Sequence, residues 1–67
     1  MLRNIEAERA RRGWSREKIA QELNISTKTY ENWIGEKTDI TGRALIKLSK
    51  LFKVKIEYLL EGMEDKT

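Results

Sequence analysis

Residues 15–37 constrain the fold more than any other part of the chain, because they contain two short helical patterns separated by a turn. Ser15 is a favourable N-cap residue, and Glu17 places a negative charge in the first turn, where the helix dipole favours it. Asn24 follows the last apolar position and tolerates the left-handed conformation that often ends a helix. The apolar face of this first helix is predicted from residues at helical spacing: Ile19, Ala20 and Leu23.

The second helical pattern has one apolar face and one polar face. Ser26 is positioned to cap it, and Tyr30 and Trp33 fall three residues apart on the inward side. The outward side is predicted to carry Thr27, Lys28, Glu31 and Asn32. A polar helix that is supported by a preceding helix and a tight turn is the arrangement of a helix-turn-helix unit that reads the major groove of DNA.

The remaining sequence predicts an all-α chain. Five helices are expected at 2–12, 16–23, 27–35, 42–52 and 56–61. In the first, Glu8 and Arg12 are spaced to form an ion pair. We expect residues 1–61 to form one domain and residues 62–67 to form an acidic, mobile tail.

Composition excludes several functional classes. Neither histidine nor cysteine is present, so the usual general base, the thiol nucleophile and the nitrogen and sulfur ligands of zinc are all missing. The four glycines are scattered singly and form no phosphate-binding loop. A helical domain of this length also has little room for an enclosed substrate pocket. We therefore expect neither an enzyme nor a cofactor, metal or small-molecule substrate.

Hydropathy and charge indicate the compartment and the partner. No apolar run approaches the length of a membrane span, and the N-terminus lacks the apolar core of a signal peptide, so a cytoplasmic protein is expected. Residues 1–55 contain thirteen Lys or Arg against seven Asp or Glu, whereas residues 56–67 contain one against four. The helix-turn-helix region is therefore basic and suited to a polyanion.

The aromatic residues allow two interpretations. They are able to stack on the bases of single-stranded nucleic acid, or they pack in the core. Core packing is the better account for Tyr30, Trp33 and Phe52, which lie on apolar faces. For Tyr58, packing in the core and contact with a partner helix remain equally open.

Several motifs in order resemble those of the lambda-repressor-like regulators of the Cro/C1 (XRE) type, above all the small phage and prophage members. The resemblance runs from Ile5 to about Leu60. It includes Arg9 and Arg12-Gly13 at the end of the first helix. It also includes S-x-E-x-IA-x-x-L in the second helix, IS-x-x-T-Y-x-x-W in the third, and the closing apolar positions Leu45, Leu48, Phe52, Val54 and Ile56–Leu60.

This resemblance implies contacts to base edges from the third helix. The family positions fall on Thr27, Lys28 and Asn32, whose side chains suit a thymine methyl, guanine O6 or N7, and adenine respectively. Glu31 either accepts a hydrogen bond from cytosine N4 or repels phosphates and so narrows the choice of site.

The resemblance also implies phosphate contacts, which set affinity and register. Arg16 stands where the family commonly has a glutamine that holds the DNA backbone. Thr29, Lys37 and Arg43 are further candidates, of which Lys37 follows the third helix and Arg43 starts the fourth.

Members of this family usually bind two half-sites as two-fold dimers, so a weak homodimer on a palindromic operator is expected. Tyr58, Leu59 and Met63 are the candidate interface residues. The predicted function is a sequence-specific regulator of transcription that binds double-stranded DNA, of the phage or prophage repressor type. The alternative is an antitoxin or other protein-interaction module whose DNA binding is secondary.

The chain departs from the family pattern in three places. Ile34 stands where the family often has the glutamate that pairs with the arginine at Arg9, so Arg9 needs another partner. Gly35-Glu36 reverses the usual order of a polar residue and glycine, which suggests an early end to the third helix. Lys55 replaces the usual serine cap of the fifth helix.

Overall fold

The computed structural model describes residues 1–61, which form five α-helices and confirm the predicted all-α fold. Each helix begins and ends within one residue of its predicted bounds. Residues 62–67, the predicted acidic tail, lie outside the described residues. The helices, numbered in chain order, are α1 (Arg3–Arg11), α2 (Arg16–Glu22), α3 (Thr27–Ile34), α4 (Gly42–Phe52) and α5 (Ile56–Leu60).

Side-chain caps determine where the central helices begin. Ser15 Oγ accepts from the backbone N–H of Lys18 at 3.0 Å, and Ser26 Oγ accepts from the backbone N–H of Thr29 at 3.0 Å. Thr41 caps α4 in the same way. Each bond satisfies one of the N–H groups that a helix start leaves unpaired. The start of α5 has no side-chain cap, as expected for Lys55.

The turn between α2 and α3 is short because one residue takes a left-handed conformation. Asn24 has φ of 57°, which confirms the predicted stop, and the backbone N–H of Ile25 then donates to the carbonyl of Ala20 at 3.0 Å. Asparagine adopts this conformation more readily than most other residues. The turn leaves α2 and α3 packed against each other, with Ile19 and Tyr30 both buried.

The core lies between these two helices and the three others. Tyr30, Trp33 and Phe52 are buried, which confirms their predicted role in packing. Trp14 covers one side of this core, with its ring centroid 5.9 Å from that of Phe52. The other buried apolar residues are Leu2, Ile5, Ile19, Ala20, Leu23, Ile34, Ala44, Leu48 and Leu59.

Helix α1 is held to α5 by a buried ionic cluster around Glu8, a residue only 3% exposed. Its carboxylate accepts from Arg12 Nη1 at 2.6 Å, which confirms the predicted pair, and from Arg11 Nη1 at 2.9 Å. The Tyr58 hydroxyl donates to the same carboxylate at 2.7 Å. Hydrogen bonds from Arg12 and Tyr58 lower the pKa of Glu8 despite its burial. The cluster thus joins the two ends of the described chain.

Within residues 1–61, no helix has the length and apolar content needed to cross a membrane.

Candidate nucleic-acid interface

The four residues predicted to contact bases lie on one face of α3. Lys28 and Glu31 are three residues apart, and Thr27 and Lys28 are each four residues from a second member of the set, spacings that place side chains next to each other on a helix. Lys28 and Glu31 are exposed, and Thr27 and Asn32 are half-buried. The opposite face is buried through Tyr30, Trp33 and Ile34. The core therefore holds α3 rigidly while its polar face remains open to solvent.

Arg16 is the first residue of α2 and lies beside this polar face. Its guanidinium donates to Glu6 Oε1 at 3.0 Å and lies 3.6 Å from Glu31 Oε2. Hydrogen bonding to Glu6 and the attraction of both carboxylates raise the pKa of Arg16, so it stays charged. Arg16, one of the residues predicted to contact phosphate, therefore lies next to Glu31, one of the residues predicted to contact bases.

Glu6 is the centre of a network that connects α1 to both helices of the helix-turn-helix unit. Its carboxylate accepts from the Tyr30 hydroxyl at 2.6 Å, from Arg9 Nε at 2.9 Å and from Arg16 Nη2 at 3.0 Å. Burial alone would raise the pKa of Glu6, but these hydrogen bonds outweigh it and lower the pKa to about 2. Burial and the bond to Glu6 raise the pKa of Tyr30.

This network supplies the missing partner of Arg9. Ile34 is buried and offers no charge, whereas Glu6, three residues before Arg9 on the same helix, takes the guanidinium. Arg9 also donates to the backbone carbonyl of Trp14. Sequence reasoning did not identify Glu6. Its spacing from Arg9 was a signal for that one pair, but nothing in the sequence indicated that Tyr30 and Arg16 would converge on the same carboxylate.

Thr29 and Ser26 share a cap at the start of α3. The Ser26 hydroxyl donates to Thr29 Oγ1 at 3.0 Å, and Ser26 Oγ accepts from the Thr29 backbone N–H. The Thr29 hydroxyl therefore uses one acceptor position within the protein and keeps its own proton available. This geometry is compatible with donation to a phosphate oxygen.

The loop between α3 and α4 is shaped by Glu36. Helix α3 ends at Ile34, one residue before the predicted end, and Glu36 has φ of 59°, a conformation that glycine adopts at lower cost. The Glu36 carboxylate pairs with the Met1 ammonium group, so its charge is not isolated. Lys37 lies within this loop and Arg43 lies in the first turn of α4, and both side chains are exposed.

The predicted dimer residues occupy different environments. Leu59 has no exposed surface, so its assignment to a dimer interface is wrong: its side chain is part of the core. Tyr58 is half-buried, packs against that core and donates its hydroxyl to Glu8. Met63 lies outside the described residues. Among residues 1–61, the large apolar side chains that are most exposed are instead Met1 and Ile46.

Comparison with known proteins gives one match. Neither the curated proteins nor the solved structures include a significant match to this chain. The family model described as "Helix-turn-helix" matches residues 5–59, which cover all of α2, α3 and α4 and most of α1 and α5. The paired helices, the capped turn and this match over most of the chain lead to one conclusion. The chain belongs to the helix-turn-helix family of the lambda-repressor-like, Cro/C1 type, a family of DNA-binding regulators.

Proposed function

We propose that this protein is a sequence-specific transcriptional regulator that inserts α3 into the major groove of double-stranded DNA. We further propose that it is a repressor of the phage or prophage type and acts in the cytoplasm. The observation that carries the proposal is the contact between Arg16 and the polar face of α3, at 3.6 Å from Glu31. A group suited to phosphate and groups suited to base edges therefore share one exposed surface.

The polar face of α3 has the chemistry required for direct readout. Lys28 is exposed and is able to donate to guanine O6 or N7, while the Asn32 amide suits the paired donor and acceptor of adenine. The Thr27 methyl group suits contact with the methyl group of thymine. Because Tyr30 and Trp33 anchor the other side of the helix, these groups would meet the groove in one defined register.

Phosphate contacts would come from the start of α3 and from the segments before and after it. Arg16 lies at the start of α2, Thr29 is in the first turn of α3, and Lys37 and Arg43 lie beyond its end. Such contacts position a protein on the duplex without reading sequence, and they release counterions. Binding is therefore expected to weaken steeply as the salt concentration rises.

We propose that two copies bind a palindromic operator as a weak homodimer. A helix of eight residues spans only a few base pairs, and a second copy would double the length of sequence that is read. Half-sites one helical turn apart, about 34–36 Å, fit such a pair. Titration of the protein against a palindrome and against a single half-site, with the stoichiometry measured by analytical ultracentrifugation, tests this assembly.

Selection of bound duplexes from a random library tests the proposed function. We expect one palindromic sequence to be enriched, and its binding to lose affinity steeply between low and physiological salt. A reporter gene that carries this sequence across its promoter is expected to be silenced by the protein. Failure to enrich any sequence at any salt concentration would refute sequence-specific regulation and favour a protein-interaction module.

A further inference from the structure

Arg16 is shared by two carboxylates that hold it with unequal strength. Glu6 accepts a hydrogen bond from it at 3.0 Å, and the Glu6 side chain is 14% exposed. Glu31 lies 3.6 Å away, beyond hydrogen-bond distance, and its side chain is 45% exposed. An ion pair so accessible to water is weak. Glu31 is therefore the partner that Arg16 loses first when another anion approaches.

Glu6 is not displaced from Arg16 as easily as Glu31. Its carboxylate also accepts hydrogen bonds from Arg9, on the same helix, and from the Tyr30 hydroxyl on α3, and these bonds hold it in place. Movement of Glu6 would break several hydrogen bonds at once, whereas movement of Glu31 breaks one long ion pair. The guanidinium thus has one fixed partner and one exchangeable partner.

We propose that Glu31 determines specificity by acting through Arg16: its carboxylate occupies the guanidinium in the free protein and is displaced by a DNA phosphate. This inference rests on the proposed function. A phosphate forms stronger, bidentate hydrogen bonds with a guanidinium than a carboxylate at 3.6 Å does. Binding to any DNA therefore opens the pair between Arg16 and Glu31.

The displaced carboxylate then penalises the wrong DNA sequences. Glu31 lies on the outward face of α3 next to the base edges, and an ionised carboxylate only accepts hydrogen bonds. Cytosine N4 or adenine N6 offers such a proton in the major groove, whereas other groups leave the charge unpaired beside the phosphates. The unpaired carboxylate therefore lowers the affinity for random DNA, and the protein discriminates by binding mismatched sites more weakly.

The test compares four forms of the full chain: the parent protein, Glu31→Gln, Arg16→Gln and the double variant. Their affinities are measured by fluorescence anisotropy on a random-sequence duplex and on a duplex that the parent protein selects from a random library. Glu22→Gln is the matched control, because Glu22 forms an exposed ion pair with Lys18 on α2. It removes the same charge from an exposed ion pair that lies within α2 and does not involve Arg16.

We expect Glu31→Gln to raise the affinity for random DNA about fivefold, the upper end for loss of an exposed ion pair. Glu22→Gln is expected to change it by less than about twofold. On the selected duplex, Glu31→Gln is expected to lower affinity about threefold, because a neutral amide accepts the hydrogen bond from the base edge less strongly than the ionised carboxylate does. When Arg16 is already replaced by Gln, adding Glu31→Gln should raise the affinity for random DNA by only about twofold.

Three results would overturn the inference while the parent protein still binds DNA in a salt-dependent manner. The first is that Glu31→Gln raises the affinity for random DNA no more than Glu22→Gln does. The second is that Glu31→Gln raises this affinity equally whether Arg16 is present or replaced by Gln, which would mean that Glu31 repels DNA without acting through Arg16. The third is that Glu31→Gln raises the affinity for the random duplex and for the selected duplex by the same factor. Absence of salt-dependent binding by the parent protein would instead refute the proposed function itself.

Discussion

Replacement of Glu6 by Gln is expected to remove stability in a way that depends on pH. The folded protein lowers the pKa of Glu6 from 4.5 to about 2, so the ionised form is favoured by folding. A group with a depressed pKa in the folded state contributes its full stability above its unfolded pKa. That contribution is lost as the pH falls from 4.5 towards 2.

The magnitude follows from the size of this difference. At about 1.36 kcal/mol per pKa unit, the upper limit is roughly 3 kcal/mol. Solvent reduces this value, because Arg16 is 47% exposed and the Glu6 carboxylate itself retains some contact with water. We therefore expect Glu6→Gln to lower the free energy of unfolding by about 2 kcal/mol at neutral pH.

Urea unfolding followed by circular dichroism at several pH values measures this effect. Between neutral pH and pH 2, the free energy of unfolding of Glu6→Gln should fall less than that of the parent protein, and the two curves should converge near pH 2. Glu8 titrates in both proteins, so its contribution cancels in the comparison. Glu22→Gln removes an exposed pair and should cost less than about 1 kcal/mol at neutral pH. A Glu6→Gln deficit of the same size at neutral pH and near pH 2 would refute the reasoning.

Three further substitutions give direct tests. Tyr58→Phe removes the 2.7 Å hydrogen bond to buried Glu8 and should cost about 1.5–3 kcal/mol in urea unfolding; a cost below about 0.5 kcal/mol would mean that the bond does not stabilise the fold. Lys53→Gly should raise the free energy of unfolding by about 1 kcal/mol, because Lys53 has φ of 58° at the end of α4; destabilisation would contradict this. Asn32→Ala should cost about 1–3 kcal/mol of binding to the selected duplex and relax preference at one base pair per half-site; parental binding to both selected and random DNA would show that the proposed helix register is wrong.

The order and bounds of the helices were predictable because their signals are local. Ser15 and Ser26 bond to N–H groups three residues later, and Asn24 ends α2 through its own backbone conformation. Helical spacing likewise placed Tyr30 and Trp33 on the buried face of α3. Each of these features depends on residues within about one turn of the chain, so the sequence contains the necessary information.

The identity of the residues on the polar face of α3 was also predictable, since it is the complement of the buried face. What those residues contact was not. Arg16 comes from the start of α2, and Glu6 comes from α1, ten residues earlier in the chain. Their pairing depends on how three helices pack, and helical periodicity within one segment does not report on that.

The sequence by itself determined the five helices, the caps and the two faces of α3, because hydrogen bonds and apolar periodicity act over a few residues. Only the tertiary structure decided which charges meet. It placed Glu6 where Arg9, Arg16 and Tyr30 converge, and it buried Leu59 although the same short helix leaves Tyr58 half-exposed. The physical reason is that burial and ion pairing depend on distances between helices. Those distances are set by packing of the whole core rather than by neighbours along the chain.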